Sequence, residues 1–220
     1  MTTAEVRRGG PWIDTIRESL KRHEGDPTAR YVQIATSAIG GGVSCRTVVF
    51  RGFWNEMGAV KFITDRRSSK VAEIAADPRA ELCWYLRGTR EQFRIGGSLQ
   101  VVHAGEVDNT LVNLRRDQWT HISPSSQASF ASSLIPGLTL EEADIACEER
   151  KEGKGGSVTS LENPVDDFCL VLLWPSSVDH LVLDGTHRRC LHTLEEGQGG
   201  YSDEGVGPKT GVWSSRALNP

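Results

Sequence analysis

The feature that most limits how this chain can fold is a series of three β-rich segments, each with cationic or amide side chains at its ends. They are residues 46–53, 62–70 and 90–97. Fixed positive charges and neutral hydrogen-bond donors, held on rigid strands, are the groups that bind a phosphate. No single segment is diagnostic, but the three in this order predict a β-rich fold that carries a phosphate site.

Hydrophobic periodicity predicts a mainly β, α+β fold with a few helices. A helix begins at Pro11 and turns Ile13, Ile16 and Leu20 to one face. A second, short helix covers residues 68–76 and ends at an Asp-Pro pair. Between turn residues, alternation predicts consecutive antiparallel strands, which indicate a closed or partly closed barrel. These predicted strands are residues 31–36, 46–53, 59–64, 80–86 and 92–102.

The second half of the chain has weaker patterns, and its length of 220 residues in all suits one domain. A continuous apolar run at 168–173 is typical of a buried strand. The other predictions for this half are helices at 107–116 and 140–151, strands at 178–183 and 189–193, and loops at 157–167 and 195–211.

Charge and hydropathy exclude several classes of protein. The formal net charge is −4 and the pI is near 5.9, whereas a nucleic-acid binder needs a basic surface excess. No apolar stretch approaches the length of a membrane span. The first twenty residues lack the hydrophobic region of a secretory signal, so we expect a cytoplasmic protein, with an organelle precursor trimmed of its transit peptide as the alternative.

The five cysteines are odd in number and contain no Cys-x-x-Cys pair. Four of them lie in or beside apolar runs, and none has the spacing of metal ligands. We therefore expect buried, reduced thiols and no metal site.

The three β-rich segments resemble the pyridoxamine 5'-phosphate oxidase family of FMN flavoproteins, particularly its shorter plant- and cyanobacterial-type branch. In that family a strand Arg-x-Val-Leu-Leu-Lys is followed by a turn Tyr-Thr-x-x-x-Ser-x-Lys and a strand Arg-Gln-x-Arg-x-x-Gly. The counterparts here are residues 46–51, 63–70 and 91–97, and the tail 211–220 is similar to the family's Trp…Arg-Leu-x-Pro ending.

The resemblance implies an FMN-binding split β-barrel with flanking helices, and a homodimer whose interface carries two FMN sites. It also implies one domain over 1–220, with an FMN-binding barrel core at 11–105 and C-terminal barrel strands and tail at 165–220. The apolar run 168–173 and Trp84 agree with a dimer, because they supply more hydrophobic surface than a small barrel needs.

The resemblance also carries site residues over by position. Arg51, which closes the first motif, would face a substrate phosphate. The residues that would contact FMN through its phosphate or its ring are Arg46, Thr47, Val48, Val49, Ile63, Thr64, Ser69, Lys70, Gln92 and Arg189.

The residues themselves allow more than one interpretation. Arg46 and Arg51 are five apart, so on one flat strand they would point to opposite faces and could serve two different anions. The alternative is a strand with solvated charged ends. Ser68 and Lys70 open a helix, where free N–H groups favour an anion, although an ordinary N-cap with a solvated lysine fits as well. Gln92 suits a flavin edge or a plain strand exterior.

The chain departs from the family pattern at several positions. Ile63 replaces the usual tyrosine and Ser69 the usual arginine, a loss of one cation that Arg66 or Arg67 could offset. Residues 117–137, where the family grips its substrate, contain no arginine. The expected Arg-Leu-His near the C-terminus is blurred into residues 186–188, and Leu183 takes the place of a tryptophan.

The leading hypothesis is an FMN-dependent oxidase that converts pyridoxamine or pyridoxine 5'-phosphate to pyridoxal 5'-phosphate, with O2 as the electron acceptor and peroxide as the second product. FMN supplies the redox chemistry, so no side chain is assigned a catalytic role. The alternative is an FMN-binding reductase or flavin-binding protein with a different substrate. A third hypothesis, a split-barrel haem-binding protein, rests on His103, His121, His187 and His192.

Overall fold

A computed structural model describes residues 10–54, 58–132, 136–137, 139, 163–196 and 211–220. These residues form four α-helices, one short 3-10 helix and nine strands. The helices are α1 (Trp12–Arg22), α2 (Ser69–Ala76), α3 (Asn109–Thr120) and α4 (Pro124–Ala131), with the 3-10 helix at Pro27–Arg30. The strands are β1 (Tyr31–Ser37), β2 (Val43–Val49), β3 (Phe53–Trp54), β4 (Ala59–Asp65), β5 (Arg79–Leu86), β6 (Glu91–Val102), β7 (Phe168–Val182), β8 (Arg188–Glu196) and β9 (Gly211–Leu218).

The described residues belong to two compact units. One unit contains the described residues up to 62 and those within 77–100 and 172–220, and the other contains the described residues within 63–76 and 101–171. Strands β4, β6 and β7 each have residues in both units. The prediction of a single domain over 1–220 stays a prediction.

Helix α1 begins at Trp12, one residue later than predicted, because Pro11 is its N-cap residue. Its buried side chains include Trp12, Ile13 and Ile16, while Leu20 is only half-buried. Trp12 packs edge-on against Phe53, with their ring centroids 5.8 Å apart. The apolar side chains of α1 therefore hold the helix to the first unit, as its periodicity indicates.

The strands pair antiparallel wherever their register is described, and their order along the sheet is β2-β1-β5-β6-β7-β4-β3. Strand β8 pairs with β7, and β9 pairs with β8. Most of the predicted strands are observed, but 168–173 and 178–183 belong to the single strand β7, and β9 is an addition that the sequence patterns did not indicate. Buried and more exposed side chains alternate along β1, along the second half of β5 and over the first residues of β6, so the buried ones lie on one face there. Those of the first unit include Val32, Ile34, Leu82, Trp84, Leu86, Phe93 and Ile95.

The opposite face of β2, β1, β5 and β6 carries exposed or half-buried side chains, and we call it the open face. Register aligns its members across the strands, since Thr47 pairs with Gln33, Gln33 with Cys83 and Cys83 with Arg94. Gln92 lies two residues before Arg94 on β6 and therefore shares this face.

The prediction of one strand over 46–53 is wrong. Strand β2 ends at Val49, and Gly52 adopts a φ of +103°, which turns the chain. After the turn, the backbone N–H of Arg51 donates to the carbonyl of Lys61 at 2.8 Å. Arg46 and Arg51 therefore do not share a strand, and the argument that alternation places them on opposite faces does not hold.

The second unit has its own apolar cluster. Trp119, Ile122 and Phe168 are buried together, and Ile63 and Phe130 pack against them. Helix α3 was predicted at 107–116 and is observed slightly later, because the Asp108 carboxylate accepts the N–H groups of Thr110 and Leu111 and so caps the helix.

Helix α4 was not predicted, because its sequence of serine and alanine has almost no apolar periodicity. Ser123 caps it, Pro124 occupies its first position, and the Gln127 amide donates to the carbonyl of Trp119 at 3.0 Å. The predicted helix at 140–151 and most of the predicted loops at 157–167 and 195–211 lie outside the described residues.

The prediction that the cysteines are buried holds for one of the four described. Cys45, Cys83, Cys169 and Cys190 are free thiols, but Cys45 is exposed and only Cys169 is buried, where burial raises its pKa to about 11. Cys147 lies outside the described residues.

The side chains of Trp84 and of residues 168–173 are fully buried within this single chain, so they offer no surface to a partner. No helix in the described parts is long and apolar enough to cross a bilayer.

Candidate functional site

Arg46 lies on β2 with its guanidinium held in place. Its Nη1 donates to the hydroxyl of Thr36, a buried residue of β1, and to the carbonyl of Ser44 at 3.2 Å. The side chain is half-buried. A partly desolvated cation with a fixed direction is suited to a phosphate oxygen, and an arginine solvated at a strand end would not be held in this way.

The other predicted residues of β2 divide between the two faces of the sheet. Thr47 and Val49 lie on the open face, and the Thr47 hydroxyl accepts from the Gln33 amide at 3.4 Å. The side chain of Val48 is buried among the core residues, so only its backbone could meet a ligand. Gln92 shares the open face with Thr47. Three of the predicted ring contacts therefore have side chains on one face.

Arg189 lies on β8 and is paired with a carboxylate. Its Nε and Nη2 donate to the two oxygens of Asp179, on β7, at 3.0 and 2.7 Å. The bonds from Arg189 hold the pKa of the Asp179 carboxyl below its usual value. The sequence analysis did not identify Asp179, since nothing local distinguishes it from other acidic residues of a strand.

In the second unit, the end of β4 and the beginning of α2 bring together Thr64, Ser68 and Lys70. The Lys70 ammonium donates to the hydroxyls of Thr64 at 3.0 Å and Ser68 at 2.7 Å. Both hydroxyl-bearing residues are buried. Ser69 is exposed at the first position of α2, where the backbone N–H groups of the first turn point away from the helix.

This arrangement has the donors that a phosphate monoester needs. An ammonium, the Ser69 hydroxyl and first-turn N–H groups at the positive end of a helix dipole are compatible with a terminal phosphate. The side chain of Ile63 offers no donor, because it is apolar and packs against the apolar cluster of the second unit. It could therefore contribute only backbone groups.

Arg67 cannot offset the cation that Ser69 lacks. Its Nε and Nη2 donate to the carboxylate of Asp65 at 2.9 and 2.6 Å, and its Nη1 donates to the carbonyl of Ser132. Its side chain is only 11% exposed. Arg66 is 57% exposed and lies 3.5 Å from Asp167, so it is the more accessible of the two.

Arg51 lies in a basic cluster that the sequence analysis missed. Burial lowers its pKa, and the nearby charge of Arg30 lowers it further. Its Nε is buried and has no hydrogen-bond partner among the residues that the structure describes. Lys61 is backbone-paired with this segment. An arginine keeps its proton under these conditions, so the cluster is a concentration of positive charge suited to an anion.

The positions where the chain departs from the family pattern form ordered structure. Residues 117–137 include the end of α3 and all of α4, and none is an arginine. The turn between β7 and β8 is held by Asp184, whose carboxylate accepts from Thr186 and from the Arg188 guanidinium at 2.9 Å. Leu183, in place of the expected tryptophan, donates its N–H to the carbonyl of Arg90.

Comparison with known protein families and proteins supports the cofactor. Residues 9–103 match the family model described as pyridoxamine 5'-phosphate oxidase, FMN-binding domain. The pyridoxine/pyridoxamine 5'-phosphate oxidase 2 of Arabidopsis thaliana is 31% identical over 212 residues, which make up 96% of this chain and 97% of that protein. A pyridoxine/pyridoxamine 5'-phosphate oxidase of Maricaulis maris is 29% identical over 144 residues, or 66% of this chain and 61% of that protein.

Solved structures support the fold. A pyridoxamine 5'-phosphate oxidase-related, FMN-binding protein from Nostoc punctiforme is 34% identical, with a TM-score of 0.79 over 96% of this chain and 98% of that one. PhzG from Burkholderia lata, solved with tetrahydrophenazine-1-carboxylic acid, has a TM-score of 0.67 over 100% of this chain and 98% of that one. At 18% identity, PhzG shows the shared fold alone.

These matches confirm the predicted α+β split-barrel fold and the predicted cofactor, FMN, and they give the haem hypothesis no support. The roles of the individual site residues stay predictions. The identity to the Arabidopsis protein extends over nearly the whole of both chains, well beyond the FMN-binding segment. This chain therefore belongs to the pyridoxamine 5'-phosphate oxidase family, and it is an FMN-dependent oxidoreductase.

Proposed function

We propose that this chain oxidises the 5'-phosphates of pyridoxamine and pyridoxine to pyridoxal 5'-phosphate, with O2 as the electron acceptor. The observation that carries the proposal is the basic cluster of Arg51 and Arg30. A buried guanidinium nitrogen that has no acceptor in the described parts of the chain, next to a second cation, is a favourable position for a phosphate group. The oxidases of Arabidopsis and Maricaulis support the same substrate class.

The chain's own residues would hold the two reactants. Arg46 in the first unit and the Lys70 cluster in the second are each a candidate ligand of the FMN phosphate. Thr47, Val49, Gln92 and Arg189 would contact the ring. When bound, FMN accepts the electrons removed from the substrate. Arg51 would hold the substrate phosphate and so orient the carbon that is oxidised. No side chain needs to act as a nucleophile or bind a metal.

The proposal is tested by measuring peroxide and pyridoxal formation by FMN-loaded protein from the phosphorylated and the unphosphorylated vitamers. We expect turnover of pyridoxamine 5'-phosphate and pyridoxine 5'-phosphate, and much weaker turnover of pyridoxamine and pyridoxine, because the basic cluster would have no anion to bind. Absence of turnover for every vitamer would contradict the proposal.

The variant Arg51→Ala, measured in the same assay, tests whether Arg51 binds the substrate phosphate. Loss of one charge-assisted contact, on the order of 1.5–3 kcal/mol, should raise KM by about ten- to a hundredfold while FMN stays bound. Arg116→Ala is the matched control, because Arg116 is exposed on α3 and has no assigned role. If Arg51→Ala and Arg116→Ala had the same KM, Arg51 would not be the phosphate ligand.

The second candidate is an FMN-binding reductase or flavin-binding protein with a different substrate. The observation that favours it is the absence of an arginine from residues 117–137, where the family grips its substrate. Tight FMN binding together with failure to oxidise any of the vitamers would favour this candidate over the oxidase. The predicted cytoplasmic location also stays a prediction.

We also propose a homodimer, although the surface differs from the one that the sequence suggested. Tyr31, Val43 and Tyr85 are exposed on the open face by 46%, 75% and 47%, and this face is our candidate for the surface that meets the partner. Light scattering should give twice the mass of the chain, and Tyr85→Glu should shift the protein toward monomer by placing a charge in the interface. Lys21→Glu changes an exposed side chain on α1 and serves as control. A wild-type monomer that binds FMN tightly would contradict a shared site.

A further inference from the structure

Four charged side chains of alternating sign cross four neighbouring strands. They lie on β5, β6, β7 and β8, and they are Glu81, Arg94, Asp179 and Arg189 in that order. Arg94 donates to both oxygens of Glu81, at 2.9 and 3.1 Å, and its Nη1 lies 3.8 Å from Asp179. Arg189 donates to both oxygens of Asp179. We call this row the charge ladder.

Asp179 is the most enclosed member of the charge ladder. Its side chain is 15% exposed, compared with 34% for Arg189, 44% for Arg94 and 47% for Glu81. An ion pair that is partly shielded from water and bidentate is stronger and more directional than a fully exposed one. Asp179 therefore fixes the plane of the Arg189 guanidinium through Nε and Nη2, and it leaves Nη1 to donate elsewhere.

The charge ladder lies on the open face. Arg94 is a member of that face, and its contact with Asp179 places Asp179 and Arg189 on the same side of the sheet. Gln92, a candidate ring contact, is two residues from Arg94 on β6. The ladder therefore joins the strand of Gln92 to the strand of Arg189 and sets the direction of the arginine relative to this face.

We propose that Asp179 is a positioning residue, which holds the Arg189 guanidinium in the orientation that meets the FMN ring. This inference rests on the proposed contact between Arg189 and FMN. Arg94 also contacts the Asp179 carboxylate, and the Glu81 carboxylate accepts two hydrogen bonds from Arg94. Without Asp179 the arginine side chain would have to be ordered by the cofactor alone, and that loss of conformational entropy would weaken FMN binding.

The sign of the expected effect separates orientation from charge. Asp179→Asn removes a negative charge beside Arg189, which by Coulomb's law alone would strengthen the attraction of an anionic cofactor. A positioning role predicts the opposite, weaker FMN binding. A fall in affinity therefore reports the loss of the bidentate pair.

The test is a double-mutant cycle on FMN affinity, measured by titrating the apoprotein with FMN and following flavin fluorescence. The variants are Asp179→Asn, Arg189→Ala and the double variant. We expect each single variant to weaken binding by about three- to tenfold and the double variant to be no weaker than Arg189→Ala. The longer-wavelength absorption band of bound FMN should shift by the same amount in both single variants, because both change the contact between Arg189 and the ring.

Two further variants complete the experiment. Asp179→Glu keeps the charge and the pair with Arg189, so it should recover most of the affinity. Asp179→Ala, which also removes the carboxylate, replaces Asp179→Asn in the cycle if the latter does not fold. Asp77→Asn is the matched control. It breaks a similar bidentate pair, with the exposed Arg79, and should leave FMN affinity unchanged.

The outcomes are distinguishable. Normal affinity in Asp179→Asn with weakened binding in Arg189→Ala would overturn the positioning role and leave the Arg189 contact standing. If Asp179→Asn weakened FMN binding by the same factor in the wild type and in Arg189→Ala, Asp179 would have a merely structural role. That result would also overturn the inference. Normal affinity in Arg189→Ala would remove both the contact and the inference, while the oxidase function is judged separately by vitamer turnover.

Discussion

Arg46→Ala is expected to weaken FMN binding by about ten- to a hundredfold, which corresponds to a charge-assisted contact of roughly 1.5–3 kcal/mol. The reason is geometric as well as electrostatic. The guanidinium is already fixed by the hydroxyl of Thr36 and the carbonyl of Ser44, so little conformational entropy is lost when a phosphate binds to it. The measurement is a fluorescence titration of the apoprotein with FMN.

Arg79→Ala is the matched control for this prediction. Arg79 is also an arginine of the sheet, on β5, but its side chain is 85% exposed and paired with Asp77. We expect no change in FMN affinity from its loss. FAD should bind neither wild type nor variants well, because Arg46 and Lys70 suit a terminal phosphate. Unchanged FMN affinity in Arg46→Ala would contradict the assignment of the phosphate site.

Gly97→Ala is expected to destabilise the fold by about 3 kcal/mol, at the upper end of the usual cost of overpacking. A Cβ added at Gly97 would lie 2.0 Å from the carbonyl oxygen of Trp174, 2.8 Å from its carbonyl carbon and 3.0 Å from the Cα of Pro175. All three atoms belong to the backbone of β7, which cannot move without breaking its pairing. For a chain of this size the loss corresponds to a fall in Tm of about 6–12 °C.

Two glycines provide matched controls for thermal unfolding. The neighbouring Gly96 would meet only the hydroxyl of Ser177, at 2.8 Å, and that side chain can rotate away. Gly185 has nothing within 4 Å of the added Cβ. Both Gly96→Ala and Gly185→Ala should therefore unfold at temperatures much closer to that of the wild type. If Gly97→Ala unfolded together with Gly96→Ala, the close approach of β6 and β7 would not be the reason for the glycine.

The elements that the sequence predicted well are those whose signal lies within a few residues. Helix α1 follows from a proline at its start and an apolar face, and β1, β4, β5 and β6 follow from alternation between turn residues. Helix α4 and strand β9 lack such a signal. In α4 the cap and the proline are local, but the bond from Gln127 to Trp119 depends on the packing of α4 beside α3.

The candidate site shows the same division. The sequence alone predicted a phosphate-binding series of segments, and it led to the family and the cofactor. It also predicted Thr64, Ser69 and Lys70 as FMN contacts, which stays a prediction. These residues lie close together along the chain, so a local motif specifies them. The sequence also indicated that a glycine belongs at 97, but not that a backbone carbonyl of β7 requires it.

Only the tertiary structure decided which charges act together. Arg51 is near Arg30 because the antiparallel pairing of β1 and β2 brings the two segments together, with the N–H of Phe50 donating to the carbonyl of Arg30. Arg189 is held by Asp179 because of the register between β7 and β8. Arg67, which its position suggested as a phosphate ligand, instead donates to the carboxylate of Asp65 and to the carbonyl of Ser132. Local patterns specify the direction of each side chain on its own strand, whereas pairing between distant segments determines its neighbours.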